Sequence, residues 1–227
     1  MFCVQLQLLR CVAMLATFGL LVLVTFLCMM YCAFADPGQM MEEPADLEEG
    51  ALPRRAHKSW LYPRPILRHD HYCKWVHNVI GLRNHRAFFV MVLGLALMGA
   101  VGASVDAYLL ASQLAKEGFI FQPVQLLFLL HLGYSLALLR LDLPILQIHV
   151  GLISRNELNS EWKEDFFWNA PGPGRVSARE LDVDEYNALL DADAFVYDAS
   201  RNPFDKGVVT NCANFWLKSR SDSLGDW

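Results

Sequence analysis

The stretch VAMLATFGLLVLVTFLCMMYCAFA, residues 12–35, decides the fold, because it runs for 24 residues without a charged side chain. A bilayer core needs about 20 consecutive apolar residues, so this stretch predicts a transmembrane helix. The apolar part of a secretory signal peptide is shorter and is followed by a small-residue cleavage site. We therefore interpret residues 12–35 as an anchor that is retained.

Two further apolar spans follow, at residues 87–112 and 119–139. The second of these ends before Arg140, since a charge within the membrane is costly. Of the 227 residues, 54% are hydrophobic and 19% charged, a balance that favours a membrane protein over a soluble domain. The sequence thus predicts an all-α membrane protein with three visible transmembrane helices. Small residues in the span 87–112 favour close packing of helices, with a ligand groove as the alternative.

Composition also excludes several classes of protein. The net charge of −5 leaves no basic excess to neutralise phosphates, so we expect no nucleic acid partner. The apolar content excludes disorder for most of the chain. Four of the six cysteines lie in or beside the first span, which argues against a secreted fold held by disulfides.

Charge asymmetry predicts the orientation of the chain. Residues 36–86 carry eight basic side chains, whereas the loop between the second and third spans carries only Lys116. By the positive-inside rule, residues 36–86 are cytosolic, and two further crossings place residues 140–227 on the same side. Two cytosolic segments that share one side of the membrane can assemble a single site. The eight basic residues are Arg54, Arg55, Lys58, Arg64, Arg68, Lys74, Arg83 and Arg86.

The motif Asp70-His71-Tyr72-Cys73 places an acid, a base and a thiol within four residues. A thiol is mostly protonated at neutral pH and needs a base or a positive field to act as a nucleophile. His71 can take the proton, and Asp70 can orient the imidazole, so the spacing permits nucleophilic acyl transfer. Two alternatives stay open on these residues alone: a packed thiol beside a structural histidine, or a histidine metal site formed by His57, His69, His77 and His85.

The region around this motif resembles the cysteine-rich core of the DHHC protein S-acyltransferases, or palmitoyltransferases. Residues 53–59 and 70–89 carry the resemblance to this core, which is strongest to the variant with tyrosine at the third motif position, DHYC, and the match as a whole runs in register from residue 12 to about 217. Further family motifs follow in order along the chain. They are Asp36-Pro37-Gly38 after a span, Ser154-Arg155-Asn156-Glu157 as a degraded TTxE motif, and Asn202-Pro203-Phe204-Asp205 through Asn211 as the C-terminal motif.

The resemblance implies a transfer of a fatty acyl group from acyl-CoA, such as palmitoyl-CoA, to cysteines of membrane-associated proteins. Cys73 would be the acyl-accepting nucleophile, His71 the general base and Asp70 its orienting partner, while Trp75 would lie near the acyl thioester. It also implies contact with membrane lipid and a location in the Golgi or endoplasmic reticulum. The structural motif residues that it assigns are Glu157, Asn202, Pro203, Phe204 and Asn211.

The chain departs from the family at the two zinc sites. In register, the ligand positions of one site hold Ala45, Glu48, Lys58 and Pro65, and those of the other hold Ser59, Tyr62, Tyr72 and Val79. We therefore predict that zinc is absent. Apolar packing by Trp60, Leu61, Tyr62, Ile66, Leu67 and Val79 is expected in its place.

Three other departures bear on activity. Lys74 follows the cysteine where the family has proline, and Arg155 stands at the second threonine of TTxE. Arg155 can pair with Asp70 and hold it charged, or pull it away from His71. The family has four transmembrane helices, and only residues 1–11 precede the first span here. The chain is then either shortened at its N-terminus or works with three helices.

The sequence thus predicts five segments: transmembrane helices at 12–35, 87–112 and 119–139, a cytosolic DHHC-like catalytic region at 36–86, and a cytosolic C-terminal region at 140–227. The function it favours is protein S-acyltransfer through a thioester on Cys73. The alternative is a catalytically inactive membrane scaffold that binds partners. Retention of the acid, base and thiol favours the enzyme, because a scaffold does not need them.

Overall fold

Three long helices dominate the computed structural model, which describes residues 2–41, 55–118, 122–172 and 176–220. They are α1 (Phe2–Phe34), α2 (His85–Glu117) and α3 (Pro123–Arg155). Each contains a segment long and apolar enough to cross a membrane: Val12–Phe34, His85–Lys116 and Pro123–Arg155. The prediction of a mainly helical membrane protein with three spans is confirmed.

Helix α3 differs from the expected segment 119–139, of which residues 119–121 lie outside the described part. It continues without interruption past Arg140, Asp142 and Pro144 to Arg155. The charges predicted an end because they are costly in lipid, but a helix satisfies its own backbone hydrogen bonds and can extend beyond the apolar core. The last turns of α3, from Ile148 onward, belong to the second of the two compact units described below.

The chain divides into two compact units, of which the first comprises Met1–Tyr31 and Ala87–Gln147. Glycines of α2 face large neighbours in this unit. A β-carbon on Gly94 would clash with the Thr25 side chain, and one on Gly99 would lie 2.9 Å from Leu139. These small residues therefore serve close helix packing.

The second unit comprises Cys32–Arg86 and Ile148–Trp227, and its described residues form three two-stranded antiparallel sheets. Their strands are β1 (His57–Ser59) with β2 (Tyr62–Ile66), β3 (His71–Cys73) with β4 (Asn78–Ile80), and β5 (Trp168–Asn169) with β6 (Val196–Tyr197). Short helices α4 (Asn159–Lys163), α5 (Val183–Asp191) and α6 (Val208–Leu217) complete it, with a 3₁₀ turn at Ala178–Glu180. The sequence reasoning did not predict these strands.

The core of the second unit lies around the hairpins. Ile66 and Val79 are fully buried, as the packing prediction required. Trp60 contradicts that prediction, since 77% of its surface is exposed and its ring contacts Tyr72 at a centroid distance of 5.3 Å. Trp60 sits in the tight turn between β1 and β2, where a large side chain has no second layer to cover it.

Candidate active site

The β3–β4 hairpin places the thiol. Cys73 is the last residue of β3 and pairs with Asn78, the first residue of β4. The four residues between them form the turn, and His77 closes it in the left-handed region with φ 55°. Trp75 lies in this turn with 53% of its surface exposed.

The Cys73 side chain is 8% exposed and is surrounded by donors. It is hydrogen-bonded to His71 and accepts from the backbone N–H groups of Trp75 and Val76. Burial raises the pKa of this thiol, but the contacts with His71 and the two N–H groups outweigh burial and lower it. The site therefore favours the thiolate, the reactive form of cysteine.

His71 joins the thiol to a carboxylate. Its Nδ1 lies 2.7 Å from Asp70 Oδ2, and its ring also contacts Cys73. Burial lowers the pKa of His71, but the hydrogen bonds with Asp70 and Cys73 exceed that effect and raise it to about 9. The imidazole is thus held in one orientation and can carry a proton beside the sulfur.

Asp70 is almost completely buried, at 1% exposure. Its Oδ1 accepts from the backbone N–H of Asn159 at 2.9 Å, and two further histidines, His85 and His149, lie close by. Burial raises the pKa of Asp70, but the electrostatic interaction with His85, the hydrogen bond from His71 and the interaction with His149 outweigh burial and hold it well below its usual range. The carboxylate therefore stays ionised.

The segment after α3 is fixed by buried arginines that the sequence reasoning counted only as charges. Arg55 binds both carboxylate oxygens of Glu161, with Nη2 2.7 Å from Oε2, and also the carbonyl of Asn156. Arg68 donates to the Asn156 side chain at 2.8 Å. These contacts hold the chain at Asn159, which in turn donates to Asp70. The hydrogen bonds among Arg55, Glu161 and Asn156 form a buried polar network that favours one arrangement of this segment.

Arg155 does not take the partner considered from the sequence. Its Nε lies 2.9 Å from Glu157 Oε2, so the described ion pair joins Arg155 to Glu157 and not to Asp70. Glu157 also accepts from the indole N–H of Trp168 at 2.9 Å. The hydrogen bond from this segment to Asp70 comes instead from the backbone N–H of Asn159.

The C-terminal motif residues gather at the end of α3. The Asn202 amide donates to the Arg155 carbonyl at 2.9 Å, and the Asn211 amide donates to the Ser154 carbonyl at 2.8 Å. The last carbonyls of a helix lack partners within it, so both side chains serve as caps. The Phe204 ring lies 3.5 Å below the guanidinium of Arg55, and Pro203 occupies the exposed turn before it.

A second set of contacts ties the hairpin to the end of α1. The Asn78 amide donates to the carbonyls of Cys32 at 2.9 Å and Ala35 at 3.0 Å. Its Oδ1 accepts from the Tyr62 hydroxyl and the Val79 backbone N–H, both at 2.7 Å. We call Asn78 and Tyr62 the latch, because together they join both hairpins to the last turn of α1.

The family's zinc-ligand positions do not fit zinc where they are described. Tyr62 donates its hydroxyl to Asn78, the Tyr72 hydroxyl contacts His77, and the side chain of Val79 is buried and aliphatic. Zinc prefers thiolate and imidazole ligands, and this set offers neither. In the other set, Lys58 and Pro65 carry no such ligand, while Ala45 and Glu48 lie outside the described residues.

The four histidines considered as a metal site are not brought together. His77 contacts Tyr72, His57 and His69 have ring centroids 5.7 Å apart, and His85 lies beside Asp70. Sequence reasoning missed the pairing of His85 and His149 around Asp70. A histidine near the polar end of an apolar helix was the available signal for His149.

Comparison with known proteins identifies the class. The family model for DHHC palmitoyltransferase matches residues 49–165. The chain belongs to the DHHC palmitoyltransferase family.

Curated relatives agree with this assignment. Palmitoyltransferase ZDHHC12 of Mus musculus is 26% identical over 222 residues, which cover 88% of this chain and 73% of that protein. Palmitoyltransferase ZDHHC4 of Mus musculus is 31% identical over 51% of this chain and 40% of its own length. Palmitoyltransferase AKR1 of Candida glabrata is 47% identical over 45 residues, which are 20% of this chain and 6% of that protein. Protein S-acyltransfer is the function that the family model and these relatives support.

Proposed function

We propose that the chain transfers a fatty acyl group, such as palmitoyl, from acyl-CoA to cysteines of membrane-associated proteins through a thioester on Cys73. The observation that carries this proposal is the continuous set Cys73–His71–Asp70, in which a buried thiol is hydrogen-bonded to an imidazole that a buried carboxylate orients.

The reaction has two half-steps. The Cys73 sulfur attacks the thioester carbonyl carbon of acyl-CoA, and His71 holds the proton that the thiol loses. The bond to the CoA sulfur breaks, and His71 returns the proton to that sulfur. A substrate thiol then attacks the Cys73 thioester, passes its proton to His71, and leaves with the acyl group as Cys73 recovers the proton.

The latch supports a position for this chemistry at the membrane surface. Asn78 joins the hairpin that carries Cys73 to the carbonyls of Cys32 and Ala35, at the end of a helix long and apolar enough to span a bilayer. An acyl chain gains about 0.8 kcal/mol for each methylene kept in apolar surroundings. A nucleophile held there reaches the thioester while the tail remains in lipid. Trp75, exposed in the turn beyond Cys73, is our candidate for contact near the acyl thioester.

We further propose that the site faces the cytosol and that the protein resides in the Golgi or endoplasmic reticulum. The eight basic residues of the 36–86 region support the orientation. The hydroxyl and aliphatic side chains at Tyr62, Tyr72 and Val79 support a hairpin held without structural zinc. The purified chain should keep its fold, followed by circular dichroism, after exhaustive chelation, and unfolding on chelation would contradict this.

The test of the main proposal is labelling of the purified full chain with a clickable acyl-CoA. We expect a hydroxylamine-sensitive label on Cys73 that is abolished in Cys73→Ser. The matched control is Cys212→Ser, which removes a half-buried thiol outside the site and should keep the label. If folded protein carries no label on Cys73, the inactive scaffold becomes the better interpretation.

A further inference from the structure

His149 is a buried histidine that the proposed reaction does not use. It lies near the end of α3, 4% exposed, with its ring centroid 5.7 Å from that of His71 and 5.8 Å from that of His85. It therefore faces the catalytic imidazole from the side of α3, whereas Cys73 approaches the same imidazole from the hairpin.

Asp70, His71 and His149 also have the spacing of a metal site. Each offers one ligand atom, and the three atoms all lie within 4.8 Å of one another. Two imidazoles and a carboxylate form a donor set that suits zinc and similar divalent ions, and such three-ligand sites leave a position open for a further ligand. The Cys73 sulfur is hydrogen-bonded to His71, one of the three ligands.

We propose that Asp70, His71 and His149 form an inhibitory site for a divalent transition-metal ion, with Zn²⁺ as the preferred ion. This site is distinct from the zinc positions of the family, which hold other side chains here. Occupation of the site engages the imidazole that would otherwise accept the Cys73 proton. It also places a positive ion where the sulfur becomes an added ligand and loses its nucleophilicity.

Substitution of His149 tests whether zinc binds at the site formed by Asp70, His71 and His149 or simply at the Cys73 thiol. Asp70, His71 and Cys73 all come from one short segment of the chain, whereas His149 adds a ligand from α3. Loss of His149 should therefore weaken metal binding, even though the thiol remains.

The first experiment follows alkylation of Cys73 by iodoacetamide in chelator-treated full-length protein, with the modified residue located by mass spectrometry. Buffered Zn²⁺ should protect Cys73 in a saturable and chelator-reversible manner. Each rate is normalised to the metal-free rate of the same variant.

In His149→Gln, the Zn²⁺ concentration for half-protection should rise at least tenfold. The control His57→Gln removes an exposed histidine of the same unit and should leave that concentration unchanged. Equal half-protection in the parent chain and His149→Gln would overturn the proposal.

The second experiment tests the three ligands without the thiol. In Cys73→Ser, Co²⁺ should bind at one site per chain with visible d–d absorption, and this absorption should disappear when His149→Gln is added. Absence of Co²⁺ binding in Cys73→Ser would overturn the proposal even if His149→Gln does not fold. Neither readout needs acyl transfer, so failure of the metal site is separate from failure of the enzymatic proposal.

Discussion

Replacement of Asn78 by alanine tests whether the latch holds the catalytic hairpin. The Asn78 side chain makes four contacts of 3.0 Å or less, two donated to the carbonyls of Cys32 and Ala35 and two accepted from Tyr62 and Val79. A buried hydrogen bond contributes about 1 kcal/mol net, so their combined loss should cost about 4 kcal/mol. Tyr62→Phe removes one of the four contacts and should cost about 1 kcal/mol.

The assay is thermal unfolding of the purified protein in detergent, followed by tryptophan fluorescence. For a protein of this size, 1 kcal/mol shifts Tm by about 2–4 °C, so Asn78→Ala should lower Tm by about 8–16 °C and Tyr62→Phe by about 2–4 °C. The matched control is Asn187→Ala, an exposed position on α5, which should change stability by less than about 0.5 kcal/mol.

Two results would refute the role assigned to the latch. If Asn78→Ala unfolds at the same temperature as Asn187→Ala, the hairpin does not depend on the latch. If Tyr62→Phe is as harmful as Asn78→Ala, the hydroxyl does more than donate one hydrogen bond. Either outcome would require another source of order for the region that carries Cys73.

Three further outcomes are expected. His71→Ala should slow formation of the acyl-enzyme by about 10²–10⁴, the usual contribution of a general base, and a rate within a factor of two of the parent would contradict that role. Asp70→Asn should reduce the same rate at least about tenfold, because an amide cannot orient and stabilise the imidazolium as a carboxylate does; single-turnover labelling measures it. Asn211→Ala should lower Tm, since it removes the cap on the Ser154 carbonyl and a 2.7 Å contact with Asp205, and an unchanged Tm would exclude the structural role.

The sequence was sufficient for the membrane helices and for the reactive residues, for different reasons. Long apolar runs such as residues 12–35 predict a span from composition alone, because the bilayer imposes the length. Asp70, His71 and Cys73 were identified because an acid, a base and a thiol within one short motif are recognisable from residue type alone. The structure brings them into contact as a pair of hydrogen bonds.

The scaffold around these residues could not be read in the same way. Strands of three residues, such as β3, are too short to carry a periodic pattern, and tertiary contacts stabilise them. Arg55 and Glu161 are 106 positions apart in the chain, and Asn159 reaches Asp70 through its backbone N–H, which has no side-chain signature. The sequence placed the end of the membrane span before Arg140 but gave no sign that the helix itself runs on to Arg155, because a charged residue limits burial in lipid and does not end a helix.

The chemical groups of the latch determine how the hairpin responds to oxidation. Thiolate clusters that hold zinc can be oxidised, and the loss of the ion then collapses the loop around it. The ties described between the hairpin and α1 consist of a phenol, a carboxamide and main-chain carbonyls, none of which peroxide attacks readily. Oxidative damage at the hairpin therefore falls on the Cys73 sulfur, so reagents that reverse a sulfenic acid should recover the enzyme without any refolding.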